Sequence, residues 1–317
     1  MGNTLFAIGE ALIDFIPAQA GCAFEDVTAF SPKSGGAPAN VCGACTVLGG
    51  CAKFITQLGD DPFGKKIAGD LERAGIDTSL IGFTDKANTA LAFVSLETDG
   101  NRTFSFYRNP SADMLFSAEQ VKAEWFADAY ALHFCSVSLG DFPMKEAHRK
   151  AIACARESGA MISFDPNLRF PLWKDKQALH STVNEFIPMA DIVKISDEEL
   201  EFITGESEIS AALPKLFAGN VKLVIYTCGA EGAYAFTKNA QAHAASERVK
   251  AIDTTGAGDG FIGSFLYALK TLGVTADSIS DLSSEQLERC TAFSNKFCGE
   301  SVQHEGAIDS YRKIAFE

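Results

Sequence analysis

Positive charge is scarce in this 317-residue chain: 27 Lys and Arg stand against 41 Asp and Glu, a formal charge of −14. That balance argues against a nucleic-acid or anionic-membrane partner, because phosphate backbones demand clustered basic groups. Long apolar runs are missing as well. No stretch approaches the length of a membrane span, and no cleavable signal precedes the first strand-like run. Met1-Gly2-Asn3-Thr4-Leu5-Phe6 begins like an acylation site but has Phe where Ser or Thr is needed. A cytoplasmic protein is the expectation. The nine cysteines lack the spacing of a metal site. Cys42-x2-Cys45-x5-Cys51 has no second CxxC and no close His, and Cys42 and Cys45 fall on one face of a predicted helix, as packing residues do. The others scatter through mostly apolar runs, which suits a reducing compartment better than a disulfide framework. Repeats, low-complexity tracts and linkers are absent too. The length allows one large α/β domain or two ordinary ones.

Glycine placed just before helices is what the chain does have. Asp253-Thr254-Thr255-Gly256-Ala257-Gly258-Asp259-Gly260 leads into Ile262, Phe265, Leu266 and Leu269 at helical spacing, with Gly273 as a stop. Small residues at 256–258 let backbone amides approach a ligand, and a helix N-terminus adds partial positive charge, so an anion such as phosphate is the natural occupant. A carboxylate at 259 would repel that anion unless it serves as a base for a hydroxyl attacking it. Alone, such a turn could be no more than a tight turn. A second glycine-rich element, Gly35-Gly36-Ala37-Pro38-Ala39-Asn40, also opens a predicted helix, which ends near Gly49-Gly50. Asn40 can both donate and accept, as vicinal sugar hydroxyls require. Asp14 closes a buried strand and reads either as an acceptor of hydroxyl protons or as a turn cap.

Other phosphate loops fail. Gly59-Asp60-Asp61-Pro62-Phe63-Gly64-Lys65-Lys66 nearly spells a Walker A motif, but it ends in Lys where a hydroxyl is required, and its aspartates would repel a triphosphate. No GxGxxG follows a strand. Strands alternate with helices, which predicts a mainly parallel sheet flanked by helices, with buried strands at 162–165, 191–195 and 223–227. Residues 12–34 and 87–110 differ: they alternate, as in Thr103-Phe104-Ser105-Phe106-Tyr107, without intervening helices.

The chain resembles the ribokinase (pfkB-type) carbohydrate kinases, and among them the fructokinases. Gly35–Gly64 and Asp253–Leu266 match the two family signatures. The runs Phe104–Leu115, Asp165–Trp173 and Val193–Glu199 look like fructokinase segments. The resemblance implies one domain over residues 1–317 with a three-layer αβα core, and a small β-sheet lid built from 12–34 and 87–110. It implies ATP as phosphoryl donor, Mg²⁺, and K⁺ as a monovalent cation. Asp259 would be the general base and the amides of Gly256, Ala257 and Gly258 the anion hole. Asp14, Gly35, Gly36, Asn40, Asn167 and Arg169 would contact the sugar, with Arg108 reaching sugar or phosphates from the lid. Arg169 could equally form an ion pair. Lys194, Thr227, Gly229, Gly232, Gly258 and Asn295 would border the nucleotide, and Asp253 and Thr255 the monovalent cation. Many relatives organise Mg²⁺ with Asn-x-x-Glu; here the first position is Ser196, with Glu199 kept. Gly260 stands where Ala is commoner, which should cost some helix stability and little chemistry. Fructose is the expected acceptor, with 2-keto-3-deoxygluconate the closest competitor; ribose and nucleosides are chemically accessible. A non-catalytic sugar-binding relative would be expected to lose Asp259 or its glycines. Relatives also suggest a homodimer through the lid.

Overall fold

The computed structural model describes residues 2–19, 21–96 and 102–316. Short apolar runs make the large sheet. In chain order its strands are β1 (Thr4–Ile8), β4 (Cys51–Gly59), β5 (Ile81–Thr84), β8 (Ala129–Cys135), β9 (Met161–Asp165), β10 (Ile192–Ser196), β11 (Leu223–Thr227), β12 (Ala233–Phe236) and β13 (Gln241–Ala244). They lie in the order β13-β12-β11-β10-β9-β8-β1-β4-β5. Every pairing from β5 to β11 is parallel, and β12 and β13 return antiparallel at one edge. The expected strands at 162–165, 191–195 and 223–227 are β9, β10 and β11, within a residue at each end.

The α-helices of the described residues lie between these strands or, for the last two, after them: α1 (Ala37–Val47), α2 (Pro62–Arg73), α3 (Met144–Glu157), α4 (Lys176–Phe186), α5 (Asp197–Thr204), α6 (Ile209–Leu216), α7 (Ala257–Thr271) and α8 (Ser284–Ser301). The side-chain alternation of a strand explains their two layers. Leu5 and Ala7 of β1 point into a core shared with Val41, Cys42, Ile262 and Phe265 from α1 and α7. Phe6 and Ile8 point the other way, into a core with Ala151, Val183 and Leu200 from α3, α4 and α5. Among the described residues no helix is long and apolar enough to cross a membrane.

Four further strands, β2 (Leu12–Pro17), β3 (Phe30–Gly35), β6 (Ala90–Leu96) and β7 (Arg102–Tyr107), form a second sheet in the order β3-β2-β6-β7. They come from the two alternating segments of the sequence; residues 97–101 of the second segment lie outside the described residues. The near-Walker segment folds as the end of β4 and the start of α2. Asp61 caps that helix, accepting from Gly64 N at 2.8 Å, and its other oxygen accepts from Thr89 N at 2.8 Å. A side-chain carboxylate therefore occupies the position a phosphate would need.

α1 and α7 pack unusually close. A Cβ on Gly263 would fall 2.7 Å from both the Ala44 Cβ and the Val41 carbonyl, and one on Gly43 would fall 2.8 Å from Ile308 Cγ1. Ala is the better helix former by about 1 kcal/mol, yet at Gly263 the clash dominates. Gly263→Ala should lower stability by about 1–3 kcal/mol, read as a drop in urea midpoint at unchanged slope. A midpoint that rises would show that the seam is loose.

Candidate active site

The close approach of α1 and α7 brings their first turns together where the parallel strands end. Gly36 (φ 128°) precedes α1, and its Cβ position lies 2.5 Å from the Glu10 carbonyl, so only glycine fits. One turn on, Asn40 is buried and donates from Nδ2 to Asp259 Oδ2 at 2.8 Å. Asn167 donates to the other oxygen, Oδ1, at 3.3 Å from a left-handed backbone (φ 44°). That conformation is uncommon outside glycine and is least costly for Asn. Burial pushes the Asp259 pKa above its ordinary value, while the Asn40 hydrogen bond and the charges of Arg169 and Lys194 pull it back. A buried carboxylate held by two amides is both oriented and basic.

Beside it, Gly256 takes the left-handed conformation (φ 75°) at the start of α7. The Ala257 amide donates to Thr254 O at 3.2 Å and the Gly260 amide to Gly256 O at 2.7 Å. The turn thus spends the Ala257 amide on itself, although the sequence suggests it for the anion hole. A Cβ on Gly258 would fall 3.2 Å from Lys194 Nζ, which places the ammonium over the turn. Lys194 in turn donates to Asp165 at 2.8 Å, both groups being buried. Burial works against the Lys194 charge, but the carboxylates of Asp165, Glu199 and Asp259 outweigh it and raise its pKa, so the ammonium persists.

A cavity of about 640 Å³ opens next to this turn and is bordered by Lys194, Thr227, Gly229, Gly232, Gly258 and Asn295. All six residues expected at the nucleotide therefore line one space. Gly232 (φ 97°) has no room for a side chain, its Cβ position lying 2.1 Å from the Ala244 carbonyl. Asn295 spends its Nδ2 on Ala244 O at 2.7 Å and so fixes the end of β13.

Other expected residues have firm partners. Glu199 accepts from Ser196 N at 2.9 Å, the capping box of α5, and from Leu168 N at 2.8 Å, which explains why Ser serves at 196. Asp253 accepts from Thr255 N at 2.9 Å, Thr255 Oγ1 at 2.7 Å and Gly306 N at 3.0 Å. The Asp14 carboxylate crowds the Cβ position of Gly35 across the β2–β3 pair. Arg169 is exposed and acts on Asp259 through its charge. Arg108 is held in the wall joining the two sheets. It donates to Asp113 at 3.2 Å, Val137 O at 3.2 Å and Ser138 Oγ at 3.4 Å. Ser138 donates onward to Glu10 at 2.8 Å. Most of the guanidinium's donors are used there rather than directed at a ligand.

The pfkB family carbohydrate kinase profile matches residues 3–314. The chain belongs to this family. It is 41% identical over 303 residues to the probable fructokinase-2 of Arabidopsis thaliana, covering 95% of this chain and 91% of that one. The fructokinase of Xylella fastidiosa with bound ATP matches with a TM-score of 0.91 and 33% identity, over 99% of this chain and 96% of that one. A double mutant of the Vibrio cholerae O395 fructokinase, in its fructose-, ADP- and potassium-bound form, matches at 0.87 and 32%, over 98% and 96%. A member of this family is an ATP-dependent sugar phosphotransferase, and in this chain Asp259 and the cavity meet at one turn, Gly256–Gly258.

Sequence reasoning passed over two residues of the site. Asp165 ends a buried strand one residue before Pro166, a position that could have drawn notice; its Oδ1 is buried without a partner. Tyr311 donates to the Gly256 carbonyl at 2.7 Å across 55 residues, and no local pattern announces it. If Asp259 is the base, kcat/KM should fall about tenfold per pH unit below a pKa displaced above the ordinary aspartate range, since only the carboxylate accepts a proton. An acid limb at or below that of a free aspartate in the pH profile would contradict the assignment.

Proposed function

We propose that the protein is a fructokinase, transferring the γ-phosphoryl group of ATP to the 6-hydroxyl of D-fructose. The observation that carries this reading is Asp259, buried, met on both oxygens by Asn40 and Asn167, and set beside a glycine turn under the Lys194 ammonium. Its carboxylate takes the proton of the acceptor hydroxyl as that oxygen bonds to phosphorus, and the bond to the ADP oxygen breaks. The amides of Gly256 and Gly258 and the Lys194 ammonium face the charge on the moving group. Asn40 Oδ1, buried without a partner, is available to a sugar hydroxyl donor. Gly35 and Gly36 let backbone approach the sugar, while Asp14, Asn167 and Arg169 supply polar contacts. Arg108 supports the sugar side by holding the junction of the two sheets.

Bound Mg²⁺ would neutralise phosphate charge; the unpartnered Asp165 Oδ1 and the buried Glu199 fit a water-mediated site for it. Asp253 and Thr255 form a tight oxygen-rich turn that fits K⁺ behind the anion hole. The second sheet acts as a lid that excludes water from the reacting phosphate, as part of a single kinase domain. One of its faces carries Phe15 stacked on Phe93 at 4.6 Å, with Phe24 and Tyr107 left 41% and 63% exposed. That surface supports a homodimer through the lid. The nine unpaired thiols agree with a reducing, cytoplasmic setting.

ADP release with MgATP and K⁺ should depend on fructose and fall by about 10²–10⁴ in Asp259→Asn. Turnover with 2-keto-3-deoxygluconate alone would reassign the acceptor to an acid paired with Arg169. No turnover with any sugar would sink the kinase reading. Sedimentation should give a dimer mass that drops to the monomer in Tyr107→Asp; an unchanged mass would remove the lid from the interface.

A further inference from the structure

We propose that Tyr311 is a positioning residue for phosphoryl transfer, its phenol hydroxyl fixing the peptide between Gly256 and Ala257 so that the anion-hole amides stay convergent. The inference rests on the kinase reading of that turn. Gly256 is left-handed and has no side chain, so nothing within the residue restrains it. Its carbonyl instead accepts two donors: Gly260 N at 2.7 Å, the first bond of α7, and Tyr311 Oη at 2.7 Å. Two donors on one carbonyl fix the plane of that peptide, and with it the direction of the amides that follow. The phenol is 3% exposed, and burial, with Asp259 and Cys298 nearby, pushes its pKa well above the ordinary value, so it remains a donor.

The ring itself is fitted to the catalytic helix. A Cβ on Gly260 would fall 3.1 Å from Tyr311 Cε1 and 3.2 Å from Phe297 Cε1, and the two rings pack with centroids 5.2 Å apart. Gly260 is therefore the space into which Tyr311 leans. The same C-terminal segment lies against the turn: a Cβ on Gly256 would fall 2.7 Å from Ala307 Cβ, and Gly306 N donates to the Asp253 carboxylate at 3.0 Å. None of the residues in these contacts lines the cavity.

Two variants of the full chain test the proposal. Tyr311→Phe keeps the ring and removes the hydroxyl; Gly260→Ala keeps the hydroxyl and displaces the ring. Each should lower kcat by about 3- to 10-fold, the value of one hydrogen bond, with the sugar KM within about twofold and little change in melting temperature. The double variant should be no worse than the weaker single one, because both break the same contact. A readout independent of the acceptor is calorimetry with MgADP alone and with aluminium fluoride, a mimic of the moving phosphoryl group. Both variants should weaken only the fluoride complex, again by about 3- to 10-fold. Equal weakening of MgADP alone, no weakening of either complex, or fully additive losses in the double variant would overturn the proposal. Loss of fructose turnover in the wild type, with the fluoride result intact, would instead count against the acceptor assignment.

Discussion

Two helices that meet almost backbone to backbone govern this molecule. Gly263 on α7 faces Ala44 and Val41 on α1 with no space for a methyl group, and Gly43 gives Ile308 the same closeness from the other side. A standard interhelical spacing is 8–10 Å, set by the side chains at the contact. Glycine removes those side chains, and the first turns of the two helices arrive close enough for Asn40 to reach Asp259 at 2.8 Å. The hydrogen bond that orients the proposed base is thus a product of packing well behind it. Core and chemistry cannot be separated along this seam.

The charge pattern reads differently at two scales. The chain as a whole is acidic, yet in the proposed site the turn at 256–258 faces an anion. It manages this with backbone amides, a helix N-terminus and the single buried ammonium of Lys194, which Asp165 holds in place. Local dipoles in a sequestered site act with little screening, whereas the acidic surface is screened by solvent and salt. An overall charge therefore excludes extended polyanions without excluding a compact one.

The regular core was legible because it rests on short-range patterns. Apolar runs at 161–165, 192–196 and 223–227 gave parallel strands, and glycines followed by helical spacing gave the N-termini of α1 and α7. Several residues that the fold gathers near Asp259 and the cavity had a local signal of the same kind, Gly258 and Gly229 in glycine turns and Thr227 at a strand end, whereas Asn295 in the middle of α8 had none. Arg108 was not. Its charge was visible, but its partners Ser138 and Val137 arrive from an element some 30 residues away, and Glu10 from the start of the chain. The Ala257 amide was equally hidden, because whether a turn uses its own N–H depends on the dihedral angles of the turn. Tyr311 shows the limit most clearly: a lone aromatic distant in sequence gains its meaning only when the fold places it on Gly256.

The carboxylates around Lys194 have a further consequence. Asp165, Glu199 and Asp259 all act on one ammonium, and burial pushes the Asp165 carboxyl up to about 7. The charge of this buried cluster is therefore set close to neutral pH, where that carboxyl is half protonated.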